Sequence, residues 1–142
     1  MPKRIALKDS VEVDSVDLSN FARSVAFSSE HARIDVSGFN ATGTDEFLAG
    51  STTQSVTVEF FGSYGSGEAH QTLYPIHKDR EVVAFAWRPD QTAAVSATNP
   101  SLEGNVQILT YAPGATRGDA ETYSVEFTAA DEAGLAFVTS VG

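Results

Sequence analysis

Apolar and polar residues alternate along most of the chain, and the apolar positions are rich in β-branched and aromatic side chains. Patterning with a period of two predicts strands that bury one face. In SVTVEFFG (55–62), Val56, Val58 and Phe60 fall on one side, with Thr57, Glu59 and Phe61 opposite. In ETYSVEFTA (121–129), Tyr123, Val125 and Phe127 oppose Ser124, Glu126 and Thr128. EVVAFAWRP (81–89) aligns Val83, Phe85 and Trp87, and Pro89 ends it because proline has no N–H for the ladder. GNVQILTYAP (104–113) and GLAFVTS (134–140) supply further strands. ARSVAFSSEHARIDVSGF (22–39), with Val25, Phe27, Ile34 and Val36, reads as two strands or one long bent one. RIALKDSVEVD (4–14) reads as an edge strand, within an N-terminal strand or arm spanning 1–14.

Two stretches break the alternation. GEAHQTLYPIHKD (67–79) has few β-branched residues, which predicts a short helix starting near Ser66 or Gly67. Glu68 would lie in its first turn, where negative charge suits the helix dipole. Leu73 and Ile76 would pin it to the sheet, and Pro75 would limit its length. The preceding GSYGSGEA (62–69) has the glycine spacing of a P-loop, but Glu68 stands where that loop needs lysine. The glycines therefore read as a sharp strand-to-helix turn. SGFNATGTDEFLAGSTTQ (37–54) is read as a long loop. Loops of that length in compact domains are usually functional or disordered. Its large apolar residues, Phe39, Phe47 and Leu48, argue that it packs on something, such as a second chain.

Length and composition narrow the class. The 142 residues suit one domain, 1–142, and a hydrophobic content of 42% is that of a globular chain. No apolar run approaches a membrane span, and the basic start MPKRIALKDSVEV lacks the apolar core of a secretory signal, so no membrane anchor is expected. There is no cysteine, which removes disulfides, thiolate nucleophiles and Cys-type zinc sites. The net charge of −10, with nine scattered Lys and Arg, predicts repulsion from nucleic-acid phosphates. His31, His70 and His77 lack zinc-ligand spacing, there is no GxSxG elbow, and the carboxylate pairs Asp45–Glu46 and Asp131–Glu132 read as solvated. Arg117, Gly118 and Asp119 form an RGD tripeptide at a hairpin tip, where Gly-Asp is favoured as a turn. No catalytic residue, cofactor site or metal site is expected.

Several stretches together resemble the major tail proteins, or tail tube proteins, of long-tailed, siphovirus-type phages of actinobacteria. They are VDLSNFARSVAFSSEHARIDVSGF (16–39), SVTVEFFGSYGSGEAHQTLYPI (55–76), WRPD (87–90) and AVSATNPSLEGNVQILTYAPGATRGDAETYSVEFTAA (94–130). The SATNP turn, followed by GD before SVEF, is the most specific part.

The resemblance implies a mainly β fold, a tail-tube-type β-sandwich with one short flanking helix. The inner sheets would form a hexameric ring barrel, and the rings would stack into a tube that delivers DNA. It implies a virion protein, made in the host cytoplasm, with no enzymatic role. Its partners would be identical copies, the tape measure protein, and tail terminator and tip proteins, with DNA passing unbound. Six subunits giving about four strands each make a barrel of about 24 strands, with a lumen of roughly 35 Å. Acids alternating with apolar residues, Glu12, Asp35, Glu59 and Glu126, are the lumen-facing candidates. Phe39, Asp45, Glu46, Phe47 and Leu48 are the candidates for contact between rings. A capsid decoration or tail-terminator protein and a carbohydrate-binding β-sandwich are the alternatives.

Overall fold

The computed structural model describes residues 7–140. The described chain is mainly β, with one helix. In order it forms β1 (Ser10–Val13), β2 (Val16–Asp17), β3 (Ala22–Asp35), β4 (Phe47–Phe61), α1 (Ala69–Lys78), β5 (Val83–Arg88), β6 (Ser101–Gly114), β7 (Thr122–Ala129) and β8 (Ala136–Val138). The strands join one antiparallel sheet in the order β2-β1-β5-β6-β7-β4-β3, with β8 added beside β6. The expected sandwich is thus hydrogen-bonded as one sheet, with α1 laid on its apolar face.

Alternation explains the core. Val56, Val58 and Phe60 of β4 oppose Phe127, Val125 and Tyr123 of β7, and all six are buried. Val11 and Val13 of β1 oppose Trp87 and Phe85 of β5, which continue the same face. Ala69, Leu73 and Ile76, spaced as i, i+4 and i+7, form the buried stripe of α1. Removing a buried Phe such as Phe127 leaves a cavity, at a typical cost of about 3–5 kcal/mol.

Three local expectations need correction. Residues 47–54, read as loop, are the first half of β4, so the connection from β3 spans only 36–46. This half of β4 is exposed on both faces, and the apolar–polar contrast that marks a strand is lost there. Residues 10–13 are no free arm: β1 is paired on both sides, and Val11 and Val13 are fully buried. The rest of the expected arm, 1–6, lies outside the described residues. Finally, α1 begins at Ala69, with Glu68 as its N-cap residue, and Pro75 lies inside the helix. The Glu68 carboxylate accepts the Gly65 N–H at 3.0 Å, bracing the turn before the helix.

Candidate functional site

Three surfaces of this sheet are open to partners. The first is the outer face of β3, β4, β7 and the C-terminal half of β6. Because directly paired residues share a face, the register defines its rows. Ser24, Glu59, Ser124 and Ala112 form one row, and Ala26, Thr57, Glu126 and Thr110 the next. Ser28, Ser55, Thr128 and Gln107 form a third. Apart from the exposed Phe61 at one end, the face carries small and polar residues, with two acids brought onto it, Glu59 and Glu126. Glu59 pairs with Arg23 at 3.1 Å.

Glu12 lies on the same sheet face farther along, in a row formed by Asp17, Glu12, Ala86, Glu103 and Ala136. Sequence reading missed Asp17 and Glu103 as companions of Glu12. The alternation of Glu103 with buried Leu102 was the available signal for the second. Asp35 is not brought to the other three. It ends β3 opposite Phe47, and along β3 it falls on the alternation of Val25 and Phe27. Its carboxylate accepts the Ser37 N–H at 2.8 Å, which with the Ser37 hydroxyl holds its pKa below the usual carboxylate value.

The second surface is the β3–β4 hairpin. Past Phe27 and Val56, residues 28–35 and 47–53 have exposed or half-exposed side chains on both faces. At about 3.3 Å per residue the hairpin projects roughly 25 Å beyond the core. Its 36–46 tip is cross-braced: Asn40 donates to the Thr44 carbonyl at 2.7 Å, and the Ser37 hydroxyl accepts the Glu46 N–H at 2.8 Å. Phe39 and Leu48 are exposed at this end, with Asp45 and Glu46 beside them. Phe47 is covered on one side by the Arg33 guanidinium, 3.3 Å from its ring centroid. The candidate contact residues therefore share one end of the hairpin.

The third surface is α1 and the strand beneath it. His70 and His77 lie two turns apart on one side of α1. His70 Nδ1 is 2.8 Å from the Tyr111 hydroxyl, and His77 Nδ1 is 3.0 Å from the Ile108 carbonyl oxygen. Ile108 precedes a bulge in β6, where Leu109 is the additional residue between the Ile108–Phe127 and Thr110–Glu126 pairs. The third histidine, His31, lies 2.7 Å from the Thr52 hydroxyl on the hairpin. Tyr64, His70, Tyr74, Tyr111 and Tyr123 pack their rings together between this helix and the sheet. The Tyr64 hydroxyl donates to Glu121, which raises its pKa, with a further contribution from the Tyr123 hydroxyl.

The SATNP turn owes its shape to Asn99, which is 6% exposed. Its Nδ2 donates to the carbonyls of Asp90, Ala93 and Ala94 at 3.0, 3.2 and 3.2 Å. Its Oδ1 accepts the Asp90 N–H at 3.0 Å. One side chain thus gathers the whole β5–β6 connection.

The fold as a whole is similar to that of several solved chains from tail and virion assemblies. The chain is similar to one in the virion of a native gene transfer agent, with a TM-score of 0.73 and 13% identity over 96% of this chain and 100% of the other. It is similar to a chain in the tail of an empty gene transfer agent particle of C6 symmetry, with a TM-score of 0.67 and 17% identity over 84% and 83%. The SPP1 tail tube matches with a TM-score of 0.68 and 13% identity over 95% of this chain and 77% of that one. At these identities the likeness establishes the fold. No protein-family model matches the chain, and no curated protein matches it in sequence.

Proposed function

We propose that this protein is a structural subunit of a phage-type tail tube, polymerising as stacked hexameric rings around a channel for DNA. The observation that carries the reading is the four-stranded β6-β7-β4-β3 surface, which has a packed inner face, a polar outer face and two free edges. Among the described residues, the β3 edge has no partner beyond β4, and β6 after Val106 pairs only with β7. Open edges recruit strands. Joining β3 of one copy to β6 of the next continues the sheet, and six copies give a closed barrel of about 24 strands.

On this reading the small polar face lines the bore. Glu126 places negative charge there, Glu59 adds a carboxylate whose charge Arg23 offsets, and Glu12 continues the acids along the sheet. Phosphates are repelled, and duplex DNA slides without the counterion release that drives adhesion. The role is mechanical, not catalytic. The tape measure protein would occupy the bore before DNA, with terminator and tip proteins closing its ends. The long-tailed, sheathless type and an actinobacterial host are supported by the sequence stretches alone.

Electron microscopy of the purified protein tests the reading. Hollow tubes or sixfold rings with an open axis are expected, and monomers that never assemble at high concentration would overturn it. A decoration protein would instead appear as knobs on a capsid shell.

A further inference from the structure

A shallow groove of about 500 Å³ lies where α1 meets the β6 bulge. Tyr74, Lys78 and Arg80 line one side, with Gln107 and Leu109 on the other. Tyr74 and Leu109 are exposed apolar residues, at 43% and 59%. The groove is held open by the His77 contact to the Ile108 carbonyl and by Gln107 Nε2, which donates to the Arg80 carbonyl at 3.2 Å.

Charge selects its occupant. Copies of a chain with net charge −10 repel one another, so a contact between copies must set the few cations against acids. Three of the seven described Lys and Arg are already engaged. Arg23 pairs with Glu59, Arg33 covers Phe47, and Arg88 donates to the carbonyls of Asp90 and Gln91. Lys78 and Arg80 make no ion pair among the described residues, and they converge on the groove. Their chain neighbours Asp79 and Glu81 are exposed but do not line it.

The chain carries the matching shape. The hairpin tip has exposed apolar Phe39 and Leu48 beside Asp45 and Glu46, and no Lys or Arg lies between Asp35 and Leu48. A two-stranded hairpin with both faces in water is marginal alone and gains from a partner.

We infer that the β3–β4 hairpin tip of one copy docks into the α1–β6 groove of another, Asp45 and Glu46 facing Lys78 and Arg80, with Phe39 and Leu48 against Tyr74 and Leu109. The contact is heterologous, tip to groove, so it propagates from copy to copy. It deepens the tube reading by naming the receiving surface, and it rests on that reading for its role in assembly.

The lack of cysteine makes the test clean. Asp45→Cys and Arg80→Cys proteins are prepared separately, checked for unchanged circular dichroism, and oxidised alone and mixed. The mixture is expected to give a disulfide-linked heterodimer, while each variant alone stays uncrosslinked. No cross-link in the mixture, or efficient self-cross-linking of either variant, overturns the docking. As a second arm, Asp45→Lys with Glu46→Lys should slow assembly at least tenfold, and a mixture with Lys78→Glu, Arg80→Glu protein should recover the contact. Assembly unaffected by the first pair overturns the docking equally. Tubes without the cross-link leave the tube reading standing and remove this contact. The cross-link without tubes does the reverse.

Discussion

The side-chain amide of Gln54 makes two hydrogen bonds to the backbone of Leu135: Nε2 donates to its carbonyl at 2.9 Å, and Oε1 accepts its N–H at 2.8 Å. A single β4 side chain thus stands in for a neighbouring strand and fixes the turn into β8. The fit is close, since a Cβ on Gly134, which has φ +66°, would lie 2.4 Å from Gln54 Oε1. Gln54→Ala strands both backbone groups of buried Leu135, at an expected cost of about 1–3 kcal/mol. Urea denaturation gives the global value, and hydrogen exchange should show the loss of protection concentrated at 134–138. Gln54→Glu keeps the acceptor but loses the donor, and should retain part of the stability.

Asn99 is the comparable anchor for the β5–β6 connection. Asn99→Ala leaves three carbonyls and one N–H without their partner, and about 2 kcal/mol of destabilisation is expected. Asn99→Asp should be at least as damaging at neutral pH, because it aims a carboxylate at the same three carbonyl oxygens. Comparing the two variants' thermal midpoints checks the order.

Tyr123 gives a prediction of opposite sign. Its hydroxyl is buried and makes no hydrogen bond of good geometry among the described residues, although it lies near enough to the Tyr64 hydroxyl to raise that group's pKa. Tyr123→Phe removes a buried polar atom that is poorly satisfied, so stability should hold or rise by up to about 1 kcal/mol. A clear loss in denaturant midpoint would show that the hydroxyl is bonded in solution.

Alkaline pH should weaken the fold. Tyr64 is held above the ordinary phenol value of 10.0, first by its hydrogen bond to Glu121, and Tyr111 chiefly by burial. A pKa raised in the folded state means that the folded protein retains protons the unfolded chain has released. The contribution is therefore complete below about pH 10 and is lost as pH rises through the folded-state values. Tyrosinate absorbance should show these groups ionising late, together with a falling denaturation midpoint. Glu121→Gln should bring Tyr64 down.

The polar face can be tested through its charge. Glu59→Lys with Glu126→Lys replaces two negative charges by positive ones on the surface assigned to the bore. Tubes of this variant should retain duplex DNA at low salt and release it as salt rises, where wild-type tubes retain none. Equal behaviour of the two would place these residues away from the bore.

Much of the fold was legible because burial writes itself as alternation. Val56 to Phe60 and Tyr123 to Phe127 are strands with one dry face, and both were read with the correct facing. The helix was legible from Leu73 and Ile76, although Pro75 does not end it. The first half of β4 was not: Phe47 and Leu48 are adjacent apolar residues exposed on opposite faces, and Ser51, Thr52 and Thr53 carry no contrast. Of the acids proposed for the bore, Glu59 and Glu126 fall together because each sits between core residues. Asp35 lies too far along the hairpin for its neighbours to orient it. Nothing local reveals that Gln54 meets Leu135, 81 residues away, or that Asn99 reaches back to Asp90.

The β6 bulge has a consequence for how this gene can vary. Ile108 points inward and Thr110 outward, with Leu109 intervening as a spare residue. Losing that one codon would leave a strand of unbroken alternation, every inward and outward assignment retained. Insertions or deletions elsewhere in β6 would turn half the strand inside out, so this is the one position in it where the chain can shorten by one residue and keep its facing.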